Sequence, residues 1–377
     1  MKNHLRNIDY PLLGTILFLC AFGLLMVYSA SYPLGMLRYG DDKFFFSQQL
    51  ISFGIGLLLL LTAIIFPYRK IGKLSPLLVL VSLLLLVLVL MPGIGVERNY
   101  SQRWLQLGPL MFQPSEAVKL AIVVYFAQVY ASKQHRLHNF KTEVLPPLII
   151  LGLVFVLILI QPDLGTATSL ALACGCILLC SNVRLKHLLG LGIVGLTGVI
   201  YLAVSESYRL KRILSFRDPF EDALGDGYQL VNSYYAIASG GITGNGLGNS
   251  FQKFGYLPEA HTDFIMAVIL EELGTLGFFV VVLSYLFIMY RGVRISIKGK
   301  DPFLKLLAVG LTFMIMIQAI FNLGAITGLL PITGITLPFI SYGGSSLILL
   351  MAAAGILVNL SGVVKTSARE QRIIDVS

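Results

Sequence analysis

Charged side chains are scarce in this chain, so the ones that do chemistry can be singled out. Asp263 closes the run Leu257-Pro258-Glu259-Ala260-His261-Thr262-Asp263, directly before a long apolar stretch. A carboxylate there could act as a general base at the rim of a water-accessible cavity. Alternatively, Thr262 or Asp263 caps the following helix and leaves His261 solvated. Glu116 and Lys119, three residues apart, share one helical face and can pair, either to lock packing or to line a cavity. Asp163 lies in the turn Gln161-Pro162-Asp163-Leu164-Gly165, where it can cap the next helix or face a substrate. Glu271 and Glu272 are adjacent inside an apolar stretch and point about 100° apart on a helix, so at least one must face protein or water.

The cations and glycines carry a second set of readings. Arg209, Lys211, Arg212 and Arg217 open a long polar segment and Lys253 lies near its end. Five cations there fit either anionic lipid head groups or a phosphate clamp, for which Arg supplies a bidentate fork. The run from Gly240 to Gly248 superficially resembles a nucleotide loop, but no strand precedes it and no Lys-Ser/Thr follows, so it reads as close-approach backbone. Cys20, Cys174, Cys176 and Cys180 fall in apolar stretches without His or carboxylate companions, so they read as packing residues.

The elements that hold these residues follow from composition. Of 377 residues 56% are hydrophobic and 12% charged, and the mean hydropathy is +0.82. A soluble domain carries about twice that charged fraction. A bilayer supplies the second apolar solvent, and spans of roughly 20 helical residues suffice to cross it. About ten such stretches lie near 11–31, 47–67, 74–92, 115–131, 144–161, 164–182, 186–204, 264–290, 303–330 and 341–364. The expected fold is therefore all-α: a single membrane domain over 1–377, with a large loop at 205–263 between helices 7 and 8 and a tail at 365–377. The first stretch is too long for a secretory signal and reads as a retained anchor.

Summed over alternate loops, 18 of the 28 Lys and Arg fall on the side of both termini and nine on the other, with Lys119 inside a span. The bias predicts cytoplasmic termini and an outward-facing 205–263 loop. The net charge of +9 is then mostly membrane-surface anchoring, and no nucleic-acid partner is implied.

Taken in order, several motifs resemble the SEDS family (shape, elongation, division and sporulation). They are Gln102-Arg103-Trp104-Leu105-Gln106-Leu107-Gly108, Phe112-Gln113-Pro114-Ser115-Glu116, Gln161-Pro162-Asp163-Leu164-Gly165-Thr166, the Leu257–Phe264 run, and Glu271-Glu272-Leu273-Gly274. Asn322–Gly328, Leu330-Pro331-Ile332-Thr333-Gly334 and Leu337–Ser346 complete the set, which spans essentially the whole membrane domain. Gly246-Leu247-Gly248-Asn249-Ser250 with Gln252-Lys253 is more similar to the division branch, and the elongation branch is the close alternative.

The resemblance implies a peptidoglycan glycosyltransferase of the bacterial cytoplasmic membrane, acting at the division septum and polymerising lipid II onto a growing lipid-linked glycan. The implied partners are a class B penicillin-binding transpeptidase and other divisome or elongasome membrane proteins. By motif, Asp263 matches the family's essential aspartate, Glu116 and Lys119 its paired cavity residues, and Asp163 a second important acid. From charge and side alone, Arg103, Arg212, Arg217 and Lys253 are candidate diphosphate contacts, and His261 accompanies Asp263. Trp104, the single tryptophan, can anchor at the interface or stack on a sugar. A divalent cation, Mg or Mn, bridging diphosphate and carboxylate is compatible chemistry, with no ligand set identified. The rival reading is a flippase for the lipid-linked precursor, and a third is a scaffold for a catalytic partner. A flippase needs polar residues through the full membrane depth, whereas here the candidates map to the outer half.

Overall fold

The computed structural model describes residues 6–98, 101–108, 110–204 and 215–374. Its helices follow the apolar stretches: α1 (Tyr10–Tyr39), α2 (Phe44–Ile65), α3 (Tyr68–Leu90), α4 (Pro114–Ser132), α5 (Leu145–Ile160), α6 (Leu164–Leu179) and α7 (Leu185–Val204). After these come α8 (Tyr228–Gly240), α9 (Ile265–Lys298), α10 (Pro302–Ile326) and α11 (Gly344–Ile374). Among the described residues eight helices are long and apolar enough to cross a membrane. The other two expected spans are α4, which carries Glu116 and Lys119, and the 16-residue α6. The chain is thus a polytopic helical membrane protein.

Core and periphery differ sharply. α10 and α11 are mostly buried along their apolar windows, whereas α7 has no buried residue in its window and touches little besides α6. The segment before α1 and the C-terminal part of α11 meet at one end. Asn7 donates to Thr366 (3.0 Å), Lys365 to the Ile8 carbonyl (3.1 Å), and Arg291 of α9 closes an ion pair on Asp9. Asp9 also caps α1 by accepting from Leu12 N, which satisfies one of the orphan N–H groups of a helix start. Cys20 and Cys174 are buried, as packing residues should be, while Cys180 is exposed.

Two features depart from the sequence reading. The connection from α3 to α4 is a three-stranded antiparallel sheet, β1 (Gly95–Arg98), β2 (Ser101–Leu107) and β3 (Leu110–Phe112), with β2 central. The β2 run Ser-Gln-Arg-Trp-Leu-Gln-Leu buries Ser101 and Leu105 and leaves Arg103 and Trp104 half-buried, as a strand covering a helical bundle does. The expectation of an all-α chain therefore holds for the spans and not for this loop.

The second departure lies in α9, which breaks at Gly274 (φ 64°, ψ −161°). Backbone groups left unpaired inside a bilayer cost several kcal/mol each unless protein satisfies them. Here the glycine run does so. Asn245 N and Gly246 N donate to the Glu271 and Glu272 carbonyls (both 2.9 Å), and Thr275 N donates back to Gly241 O (3.1 Å). A Cβ on Gly240 would meet Leu270 O at 1.9 Å, and one on Gly244 would meet Glu272 O at 2.2 Å, so only glycine permits this approach. The described part of the long loop is accordingly tied down: α8 packs along α9 and the glycine turns plug its break.

Candidate active site

One cavity of about 1880 Å³ gathers most of the chemistry. Its lining includes Arg103, Trp104, Glu116, Lys119, Asp163, Lys253, His261 and Asp263, eight of the ten residues singled out from sequence. Arg212 lies outside the described residues, and Arg217 is exposed and outside the cavity lining.

Asp263 ends the loop just before α9. The helix cap is Phe264, without a side-chain cap bond, so neither Thr262 nor Asp263 serves as the N-cap that their residue types allowed. Thr262 Oγ1 instead lies 3.1 Å from Asp263 Oδ1 and 2.7 Å from Glu259 Oε2. The backbone is clamped from α10, where Asn322 Nδ2 donates to Asp263 O (2.7 Å) and Ile335 O (2.8 Å). Across the cavity wall a Cβ on Gly334 would stand 3.9 Å from Asp263 Oδ2, and one on Gly165 of α6 would press on Thr333 at 2.9 Å. The 331–338 segment therefore connects Asp263 to the start of α6.

His261 is buried, with its ring 4.6 Å from Phe45 and 5.5 Å from Tyr342, so the solvated histidine of the capping alternative is not what forms. Burial pushes its pKa down to about 4; Glu259 opposes this and Arg38 adds to it. His261 is therefore neutral near pH 7, an aromatic-packed support two residues from Asp263.

Asp163 does cap its helix, accepting from Thr166 N (3.1 Å) with Oδ1, while Oδ2 faces Arg103 at 3.5 Å. The Arg103 guanidinium also donates to the carbonyls of Gln161 (2.7 Å) and Pro162 (2.5 Å), which ties the sheet to the α5–α6 turn. Both readings of Asp163, cap and cavity acid, are met by one side chain. Glu116 and Lys119 form a buried pair at 2.8 Å on the cavity wall. Lys119 donates further to Gln318 (3.1 Å), whose amide nitrogen reaches Thr336 O (3.1 Å).

Lys253 departs from its expected role as a diphosphate contact. Its ammonium pairs with Glu272 at 2.8 Å with neither side chain exposed, donates to Gly248 O (2.7 Å), and stands 4.9 Å over the Tyr32 ring. A buried carboxylate needs such a partner more than a diphosphate can compete for it. Glu271 accepts from Ser250 Oγ (2.5 Å) and Phe251 N (2.9 Å), and Glu272 from Ser29 Oγ (2.7 Å). Both acids thus face protein.

Several residues at the cavity were not singled out for chemistry by sequence. Arg38 at the end of α1 lines it and figured only in the charge count, Gly334 lines it and Asn322 braces it from α10 though both entered only as parts of motifs, and Gln318 is recognisable only through its contacts across the fold. The lower part of the cavity runs between α6 and α7. Gly175, Gly192 and Gly195 lie on its wall, and a Cβ on any of them would meet nothing within 4 Å, so the two helices leave a groove open to the apolar exterior.

Comparison with known proteins agrees with this architecture. The chain is 45% identical to the probable peptidoglycan glycosyltransferase FtsW of Bacillus subtilis, covering 99% of this chain and 95% of that one. It is 42% identical to the stage V sporulation protein E of the same organism, covering 94% and 96%. Among solved structures, a chain from a study of how a peptidoglycan synthase complex coordinates polymerization and crosslinking superposes with a TM-score of 0.76 at 29% identity, covering 94% and 97%. The rod shape determining protein RodA of Thermus thermophilus superposes with a TM-score of 0.69 at 27% identity, covering 94% and 96%. The cell cycle protein family named for FtsW, RodA and SpoVE matches residues 10–366, nearly the whole chain, and this protein belongs to that family.

Proposed function

We propose that the protein is a peptidoglycan glycosyltransferase that polymerises lipid II at the outer face of the cytoplasmic membrane, in septal synthesis. The observation that carries this reading is a carboxylate, Asp263, that does not serve as the cap of α9 and lies on the wall of a large cavity that gathers charged side chains and continues into an apolar groove. A disaccharide-peptide on a polyprenyl diphosphate has this same division between sugar, anion and hydrocarbon. The excess of Lys and Arg on the side of the termini supports a cytoplasmic location for both ends and an outward site.

In the proposed step an acceptor sugar hydroxyl attacks the anomeric carbon of the donor. The C–O bond forms as the bond to the diphosphate breaks, polyprenyl diphosphate leaves with the electron pair, and Asp263 takes the hydroxyl proton. Asn322 holds the Asp263 backbone, and neutral His261 packs the turn before it against Phe45 of α2. Among the described residues no three His, Cys, Asp or Glu converge on one point. A Mg or Mn ion would therefore be held mainly by diphosphate oxygens, with Asp163 or Asp263 as the protein's hard-oxygen donor.

The 45% identity to a protein named a probable peptidoglycan glycosyltransferase supports the reaction class. The likeness to a chain from a peptidoglycan synthase complex supports a crosslinking partner, here a class B penicillin-binding protein. Against a flippase stands the pairing of the Lys253 ammonium with Glu272, which turns those charges inward.

Lipid II supplied in detergent, where no bilayer can be crossed, tests the proposal. Wild type with its partner should form glycan, and Asp263→Asn should lose about 10²–10⁴-fold in rate at an unchanged melting temperature. Polymer from the variant at the wild-type rate removes Asp263 from the chemistry, and no polymer from wild type removes the polymerase reading.

A further inference from the structure

A polymerase of this kind must hold two lipid-linked molecules at once, a donor and an acceptor, and one apolar groove cannot seat both tails. The cavity has a second apolar arm. Besides the α6–α7 groove, its lining continues along the corner between α1 and α2, over Leu34, Leu37, Tyr39, Phe44 and Phe254. Leu37, Tyr39 and Phe254 are exposed there, and Tyr39 stacks on Phe44 at 3.8 Å. The two arms are contributed by helices on different sides of Asp263. His261 packs on Phe45 of α2, whereas Gly334 beside Asp263 leads through Thr333 to Gly165 of α6.

Charge singles out the same corner. Among the described residues the cavity lining holds four cations: Arg38, Arg103, Lys119 and Lys253. Arg103, Lys119 and Lys253 are each committed to a carboxylate. Arg38 is exposed and enters no ion pair among the described residues, and the acids beside it are engaged elsewhere, Asp42 with the Tyr28 hydroxyl and Asp41 with Lys43 N. Glu259, the next acid along the wall, accepts from Thr262. An uncommitted guanidinium above an apolar arm is what a diphosphate on a hydrocarbon tail requires.

We propose that the α1–α2 corner is a second seat for a polyprenyl diphosphate, with Arg38 as its diphosphate contact, so that two lipid-linked substrates meet at Asp263 from separate grooves. This rests on the polymerase reading above.

A photoreactive phenylalanine analogue placed at Leu34 or at Leu196 reports each groove separately, using a radiolabelled polyprenyl diphosphate without sugars. Both positions should label. Arg38→Ala should lower labelling at position 34 by about tenfold and leave position 196 unchanged, and Arg38→Lys should restore part of it. In glycan synthesis Arg38→Ala should raise the lipid II concentration for half-maximal rate about tenfold at an unchanged melting temperature. Labelling at 196 alone, in a protein that makes glycan, overturns the second seat and leaves the polymerase intact. Equal labelling at 34 with and without Arg38 removes the arginine as the contact. Absence of glycan from wild type, with both grooves labelled, sinks the polymerase reading instead.

Discussion

Two groups of buried charge look alike on paper and behave differently in the fold. Behind the break in α9, Glu271, Glu272 and Lys253 are satisfied entirely by protein: Ser29, Ser250, the Phe251 amide and one another. Around the cavity, Asp163 shares its carboxylate between a helix start and a partly exposed Arg103, and Asp263 lies on the wall with its backbone carbonyl held by Asn322 and its carboxylate beside Thr262. Charge inside a membrane protein therefore has two uses here. One group fastens a long loop to a helix that cannot finish its own hydrogen bonds, and the other lies on the wall of the cavity.

The sharpest way to break this distinction is at Lys253. Lys253→Ala strands Glu272 in a site with no exposure, and removing one partner of a buried pair costs about 3–5 kcal/mol. The expected outcome is a large fall in melting temperature and yield, with Lys253→Met combined with Glu272→Gln recovering part of it. A Lys253→Ala protein that melts like wild type and fails only in glycan synthesis would move this lysine to the cavity group.

His261 gives an intermediate effect with a defined sign. Its pKa falls from an ordinary 6.5 to about 4 in the fold, so its contribution to stability is full above pH 6.5 and is lost as the pH drops from there to about 4. Over that window the loss amounts to at most about 3 kcal/mol. Denaturation of His261→Gln and wild type at a series of pH values should show the acid limb of the difference curve flattened in the variant. Parallel curves would mean that folding does not depress the His261 pKa.

The smallest stability effect belongs to Asp163. Asp163→Asn keeps a good N-cap for α6 and loses only the pairing with a partly exposed Arg103, which predicts a change within about 1 kcal/mol. A large loss of glycan synthesis at that nearly unchanged stability would sharpen the assignment of Asp163 to substrate. A large loss of stability would place it with the Lys253 group.

The sequence by itself determined where the chain crosses the membrane and which residues break membrane economy. Hydropathy and charge are properties of each residue and its near neighbours, and a bilayer reads them locally. The predicted stretches 47–67 and 303–330, for example, became Phe44–Ile65 and Pro302–Ile326. Eight of the ten site candidates share the cavity because the quoted motifs mark its wall. The β2 strand was hidden because seven residues between two spans give a short alternation that hydropathy alone cannot separate from a loop. Only the tertiary structure decided what each cation does. Lys253 became the internal partner of Glu272, 19 residues away, and Arg38 was left uncommitted on the cavity wall. It also decided that the glycine run closes the break at Gly274, for which the Glu-Glu-Leu-Gly interruption of an apolar helix was the readable signal. These outcomes depend on distances between segments far apart in the chain. Lys253 and Arg38 carry the same charge, and only the fold places one against a buried carboxylate and the other beside open space.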